Sequence, residues 1–313
     1  MKIRAPDNAF DHACFTHARL ERILPIARTQ QAGPMDFTLI AIECYAAGFA
    51  ATVLLEQDWR MPEPIPPADE LELPCLLRGL PLVTEIGDDL GNSYTGYMRA
   101  CIGGGGRDEG LYNHLVYCFA PALDPAARSL SFTLTQVERP AHDAEGRPVW
   151  RDDQIIGGPW PLSFPLEQRS ARSATVTVLP VARRICLGAL CVTVTTVERH
   201  AWGFGINSRF DWADSDGPFP QPVWRASDDR GADYGRASCG GDVNSTSDDV
   251  RSRRMYCEFR SDVDPEATEL RLRLTAPGPA RTTPSQAMDV FMRGERLRDA
   301  ANLGELTVAL PPR

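Results

Sequence analysis

Lysine is almost missing from this chain of 313 residues: Lys2 is the only one, and every other Lys/Arg position is arginine. That bias reflects a GC-rich genome rather than a chemistry. Acidic residues outnumber basic ones, 42 to 33, for a net charge of −9. No Lys/Arg-rich stripe is present, which excludes a general nucleic-acid binder, because polyanions are held by basic surfaces. The short run Arg251, Arg253, Arg254 is expected to alternate along an exposed strand face rather than to hold phosphate. No stretch approaches the roughly 18 apolar residues of a membrane span. Met1-Lys2-Ile3-Arg4-Ala5-Pro6-Asp7 lacks the apolar core of a signal peptide. As written, the chain is expected in the cytoplasm without membrane insertion; an extracellular site is the alternative where a leader has been removed.

Chemistry-bearing motifs are equally scarce. The nine cysteines form no CxxC, and His12, His17, His114, His142 and His200 are scattered, so no zinc spacing exists and neither metal nor cofactor is expected. No Gly-X-Ser-X-Gly elbow is present. His200 is expected at a strand end on the surface, not in catalysis. Gly103-Gly104-Gly105-Gly106 is not followed by Gly-Lys-Ser/Thr and is expected, like Gly240-Gly241, in a sandwich loop. A non-enzyme follows.

What the chain does contain is an internal repeat. Ile23-Leu24-Pro25-Ile26-Ala27-Arg28 matches Val178-Leu179-Pro180-Val181-Ala182-Arg183, an offset of 155 (24 to 179). Glu43-Cys44-Tyr45-Ala46-Ala47-Gly48-Phe49 matches Glu198-Arg199-His200-Ala201-Trp202-Gly203-Phe204 at the same offset, and Asp58-Trp59 and Asp211-Trp212 follow. Asp88-Asp89-Leu90-Gly91-Asn92-Ser93-Tyr94 then matches Asp228-Asp229-Arg230-Gly231-Ala232-Asp233-Tyr234 at an offset of 140 (88 to 228), because the second half lacks the Pro-rich stretch Pro62 to Pro81. Tyr117-Cys118 pairs with Tyr256-Cys257, and Asp124-Pro125 with Asp264-Pro265. Two domains, 13–168 and 172–311, are therefore expected from an internal duplication, joined by the polar linker Gln168 to Ser173.

Within each half the apolar pattern has period two and is rich in β-branched residues, as in Phe37 to Ile42, Cys191 to Val197, Leu130 to Leu134 and Leu270 to Leu274. Asp-Asp-X-Gly is hairpin chemistry. Asp88, Asp89, Asp228 and Asp229 are expected as turn residues rather than calcium ligands, with Gly91 and Gly231 supplying positive φ. About seven short strands per half, separated by turn signals, point to an all-β fold of two tandem immunoglobulin-like β-sandwich domains. The best helix candidate, Pro284 to Leu303, is peripheral.

The run LPxAR (Leu24 to Arg28), ExxAxGF (Glu43 to Phe49), DDxGxxY (Asp88 to Tyr94) and a late strand after Asp-Pro resembles uncharacterised bacterial proteins made of tandem Ig-like repeats. It is similar, more distantly, to the Ig-like modules that follow the membrane anchor in some anti-sigma-factor-type proteins. The resemblance covers nearly the whole chain and implies the fold, with no catalytic residue.

Cys101 and Cys118 correspond to Cys239 and Cys257 across the repeat, so each pair is expected on neighbouring strands or at one loop base, as a disulfide or as two buried thiols. Cys14, Cys44, Cys75, Cys186 and Cys191 have no counterpart and are expected as plain thiols. Trp59, Trp202, Trp212 and Trp224 are expected in packing before sugar stacking. The function that remains is a non-enzymatic binding or scaffolding protein engaging a protein partner. The alternative is a carbohydrate-binding or cell-surface adhesion module.

Overall fold

The computed structural model describes residues 19–33, 35–57, 82–106, 110–138, 141–142, 148–149, 155–166, 176–187, 190–200, 203–213, 223–236, 238–241, 245–246, 250–275 and 302–310. These residues form strands and turns and no helix. The chain divides into two compact units, Met1–Pro180 with Gly241–Ser245, and Val181–Gly240 with Thr246–Arg313.

The first unit carries β1 (Leu20–Ala32), β2 (Met35–Tyr45), β3 (Gly48–Gln57), β4 (Leu82–Asp88), β5 (Thr95–Gly106), β6 (Gly110–Ala120) and β7 (Ser129–Glu138). The short pair β8 (Ala141–His142) and β9 (Pro148–Val149) and then β10 (Ile155–Pro165) follow. Two antiparallel sheets result, in the orders β1-β2-β3-β6-β5 and β10-β7-β4. Their inward residues share one core. Phe37, Phe49 and Phe119 come from the first sheet, and Phe132 and Phe164 from the second. The Phe37–Phe132 and Phe119–Phe132 ring centroids lie 5.7 and 6.2 Å apart, so aromatic contacts bridge the sheets.

Strand β2 is buried on both faces, which explains its near-continuous apolar run in place of strict alternation. One face joins the sandwich core; on the other, Ile40 and Ala41 gather with Ile23, Ala27, Leu54, Val176 and Val178. Edge strand β1 contains Pro25, which cannot donate to a ladder, beside a bulge that puts Ala27 at φ +47°.

The second unit is built from most of β11 (Val176–Leu187), then β12 (Leu190–His200), β13 (Gly203–Ala213), β14 (Val223–Asp228), β15 (Asp233–Arg236), β16 (Ser238–Gly241), β17 (Ser245–Thr246), β18 (Val250–Phe259), β19 (Glu269–Thr275) and β20 (Asn302–Ala309). Its sheets run β11-β12-β13-β18-β16 and β15-β14-β19-β20. The orders repeat those of the first unit, with β15 added beyond β14. Edge strand β11 again places an alanine after a proline in the left-handed region, Ala182 at φ +48°. The fold is all-β, two units of sandwich architecture. With β1 set aside as an added edge strand, β2-β3-β6-β5 and β10-β7-β4 follow the A-B-E-D and G-F-C orders of an immunoglobulin constant domain, β3 and β4 being divided between the sheets as strands B and C are.

Three local expectations change. Gly103 to Gly106 are not a loop but the end of β5, paired to Asn113 through Gly110, and Gly240-Gly241 close β16. Ladder pairing uses only the backbone, so an edge strand tolerates residues without side chains. Of the helix candidate, Asn302 and Leu303 open strand β20, and the rest lies outside the described residues. Asp58-Trp59, Pro62 to Pro81 and the linker Gln168 to Ser173 also lie outside them.

Candidate functional site

The Asp-Asp-X-Gly turns form a hydrogen-bonded clasp that recurs in both units. Asp88 Oδ1 accepts the N–H groups of Leu90 and Asn92 at 3.0 and 2.9 Å; Oδ2 accepts the Asn92 amide at 2.9 Å and the Tyr94 hydroxyl at 2.6 Å. Asp228 Oδ1 accepts the N–H groups of Arg230 and Ala232 at 3.0 and 2.9 Å, and Oδ2 the Tyr234 hydroxyl at 2.6 Å. Asp89 accepts the Arg128 and Ser129 N–H groups, and Asp229 the Thr268 hydroxyl at 2.6 Å together with the Thr268 N–H. Gly91 and Gly231 hold φ of +86° and +92°, the conformation that lets each turn close.

Each tyrosine has its ring against a core phenylalanine, Tyr94 on Phe49 at 5.0 Å and Tyr234 on Phe204 at 5.4 Å, both edge-on. Its hydroxyl reaches the rim and accepts the N–H of Asp124 or Asp264, tying the hairpin to the Asp-Pro turn before the next strand. Partial burial pushes the Asp88 and Asp228 carboxyls up, but donors led by the tyrosine hydroxyls outweigh it and hold both below the ordinary carboxylate value. Burial, then the aspartate partner, pushes Tyr94 and Tyr234 up to about 12. Four donors occupy the lone pairs of Asp88 that a cation would need, so this carboxylate works as a staple.

A second polar cluster lies on the sheet face of the second unit, and it overturns the surface placement of His200. His200 is buried, its side chain 2 % exposed. Its Nε2 stands 3.2 Å from Glu198 Oε2 and 3.3 Å from the Tyr256 hydroxyl. Glu198, fully buried, also accepts from Asn207 Nδ2, which donates to Thr196 Oγ1 at 2.8 Å as well. In the first unit the matched pair repeats the idea, the Tyr45 hydroxyl donating to Glu43 Oε2. The cause lies in the register: β13 sits between β12 and β18, so His200 at the end of β12 meets Tyr256 across Gly205, over which the Tyr256 ring lies. Both of these contacts are made at Nε2, where the imidazole joins Glu198 to Tyr256. The Glu-X-Tyr and Glu-X-His spacing is the signal that could have revealed this cluster, since i and i+2 share a strand face.

Each expected cysteine pair lies on neighbouring strands, Cys101 and Cys118 on β5 and β6 and Cys239 and Cys257 on β16 and β18, but the two pairs do not share a register. Cys118 stands opposite Ala50, and Cys257 opposite Ile206. Ala50 corresponds to Gly205, not to Ile206, so the two cysteines are one residue out of register. They therefore lie on opposite faces of their sheets. Cys101 stands opposite core residue Leu115 and Cys118 opposite Tyr97, three residues apart along the ladder, about 10 Å at the strand rise, beyond disulfide reach. Cys118 is a buried thiol, whereas Cys257 belongs to a disulfide whose partner is outside the described side chains; Cys239 stands on β16, beside β18. Cys186 and Cys191, expected as plain thiols, form a disulfide with Cα atoms 4.1 Å apart, because neighbouring strands β11 and β12 lay them side by side. Cys44 is a buried free thiol, its pKa raised by burial. Cys14 and Cys75 lie outside the described residues.

Arg253 and Arg254 are not on an exposed face, and the Arg251 side chain lies outside the described ones. Strand β18 sits between β13 and β16, which leaves Arg254 buried and Arg253 half-buried. Trp224 is fully buried, its Nε1 donating to Ser208 Oγ at 3.4 Å, so it is core. Trp59, Trp202 and the Trp212 side chain lie outside the described residues. No group of three or more His, Cys, Asp or Glu side chains with metal-site geometry occurs among the described residues. No described helix is long and apolar enough to cross a membrane.

No family model matches the chain, and no curated protein matches it. A solved structure described as the conserved domain protein from Bacillus anthracis aligns over 95 % of each chain at 13 % identity, with a TM-score of 0.28.

Proposed function

We propose that the chain is a non-enzymatic binding protein, two copies of one sandwich module that present different faces to a protein partner. The observation that carries this reading is the contrast between frame and face. The frame recurs: equal strand order, the tyrosine clasp at 2.6 Å in both units, and alanines at φ +47° and +48° after matched prolines. The outward positions of the smaller sheets diverge, Ser131 and Thr133 in the first unit against Arg271 and Arg273 in the second. Surfaces that change on a retained frame are what partner recognition requires, since function resides in sites carried by a fold. The polar groups best suited to chemistry, Asp88, Asp228 and the Glu198–His200 pair, are committed to holding turns and strands together. The Cys186–Cys191 bridge favours an oxidising compartment over the cytoplasm.

Affinity purification of the tagged full chain from its host, with cross-linking and mass spectrometry, tests this. One protein held in stoichiometric amount, cross-linked to the sheet faces or turns, is expected. Recovery of the chain alone at its own mass, at low and moderate salt, would overturn the reading.

A further inference from the structure

The outward face of the sheet β15-β14-β19-β20 carries a row of arginines. Along β14 and β19, Trp224, Ala226, Leu270, Leu272 and Leu274 are buried, while Arg225 is half-exposed and Arg271 and Arg273 are exposed. Register places Arg225 opposite Arg273 on one side and opposite the Arg236 position on the other, with Glu305 beyond Arg273. Arg271 stands one step along, between Ser227 and Thr307. Arg273 holds Glu305, its Nη2 and Nε reaching Oε2 at 3.0 and 3.2 Å. Glu269 ends the same strand face, and Asp233 Oδ1 is taken by the Gly235 N–H at 2.8 Å. Arg225 and Arg271 have no carboxylate partner among the described residues.

The fold does not require these arginines. Strand for strand, the first unit has Glu85 at the place of Arg225, Ser131 at that of Arg271 and Thr133 at that of Arg273, and β4, β7 and β10 pair there as β14, β19 and β20 do here. Like charges directly opposite each other across a ladder are destabilising; Glu305 offsets this at Arg273, and Arg225 stands beside it with no described carboxylate of its own. A ligand of opposite charge accounts for both facts.

We infer that this face docks an extended acidic segment of a partner protein, with carboxylates at alternate positions; the inference rests on the binding reading above. Arg225 and Arg271, the two without a described carboxylate, are diagonal neighbours across β14 and β19 at about 7–8 Å, close to the repeat of about 6.7 Å between alternate residues of an extended chain. Each guanidinium presents a fork that matches a carboxylate. Glu305 and Glu269 at the rim, with the net charge of −9, disfavour a continuous polyphosphate and suit a short acidic segment.

The test titrates the full chain with a fluorescent peptide of alternating Glu and Ser, and with its Gln-for-Glu counterpart, by anisotropy. The Glu peptide should bind and the Gln peptide should not, with affinity falling as salt rises from about 50 to about 300 mM. The double variant Arg225→Gln/Arg271→Gln, checked for an unchanged melting curve, should bind about tenfold more weakly, and Arg271→Lys should keep part of the affinity. Equal binding by wild type and double variant, or of both peptides, overturns the proposal. So does tighter binding of an oligonucleotide or sulfated oligosaccharide of equal charge. A host protein retained equally by wild type and double variant overturns the arginine face and leaves the binding reading standing. Arginine-dependent peptide binding with no host protein retained supports the face and counts against that reading.

Discussion

Tyr234 donates its hydroxyl to Asp228 Oδ2 at 2.6 Å, and the tyrosine oxygen itself accepts the Asp264 N–H at 3.0 Å, so one phenol joins two turns. Tyr234→Phe removes both bonds and is expected to cost about 1–3 kcal/mol, the range for leaving partly buried partners unmet. Tyr94→Phe should cost less. The Asp124 N–H lies 3.5 Å from Tyr94, and the Asn92 amide also serves Asp88 Oδ2. Urea unfolding of both variants checks the order; a larger loss for Tyr94→Phe contradicts it.

The same clasps set the pH response. Asp88 and Asp228 have carboxyls held below their ordinary value of 3.8, so their contribution is present above that value and is lost as pH falls through the lower folded values. Tyr94 and Tyr234 are raised from 10.0 to about 12, so theirs is complete below pH 10 and is lost as pH rises toward 12. Melting temperature against pH should show a plateau with losses on both flanks. Removing both hydroxyls as Tyr94→Phe/Tyr234→Phe should flatten the alkaline flank; an unchanged slope there refutes the assignment.

Backbone strain offers a gain at one position and a loss at another. Ala182 is exposed at φ +48°, so Ala182→Gly should stabilise by up to about 1 kcal/mol, relief of left-handed strain outweighing added chain entropy. Ala27 has the same φ but a fully buried side chain, so Ala27→Gly should gain less or lose. Gly231 has open space around it, and Gly231→Ala should lose about 1 kcal/mol through φ alone. Thermal melts of the three variants give the signs directly.

Cysteine chemistry can be counted. Of nine cysteines, Cys186, Cys191, Cys257 and the partner of Cys257 are bonded, which leaves at most five thiols. Titration of protein denatured without reductant should give five or fewer. Nine would mean that the bridges do not form, and would return the chain to a reducing compartment.

Alternation of apolar residues, Asp-Asp-X-Gly and the collinear matches were enough to identify strands, turns and the division into two sandwiches. These depend on neighbours in sequence: a period of two sets a strand face, and a glycine with positive φ sets a turn. The alternation of Arg271 and Arg273 was legible in the same way. Tertiary structure decided whatever depends on register between distant strands. Cys118 and Cys257 align in sequence yet lie on opposite sheet faces, because a slip of one residue reverses the side of every side chain. His200 is buried because Tyr256, 56 residues away, is laid beside it by β13. Arg225 joins Arg273 only through the ladder between β14 and β19, a pairing that no local spacing encodes.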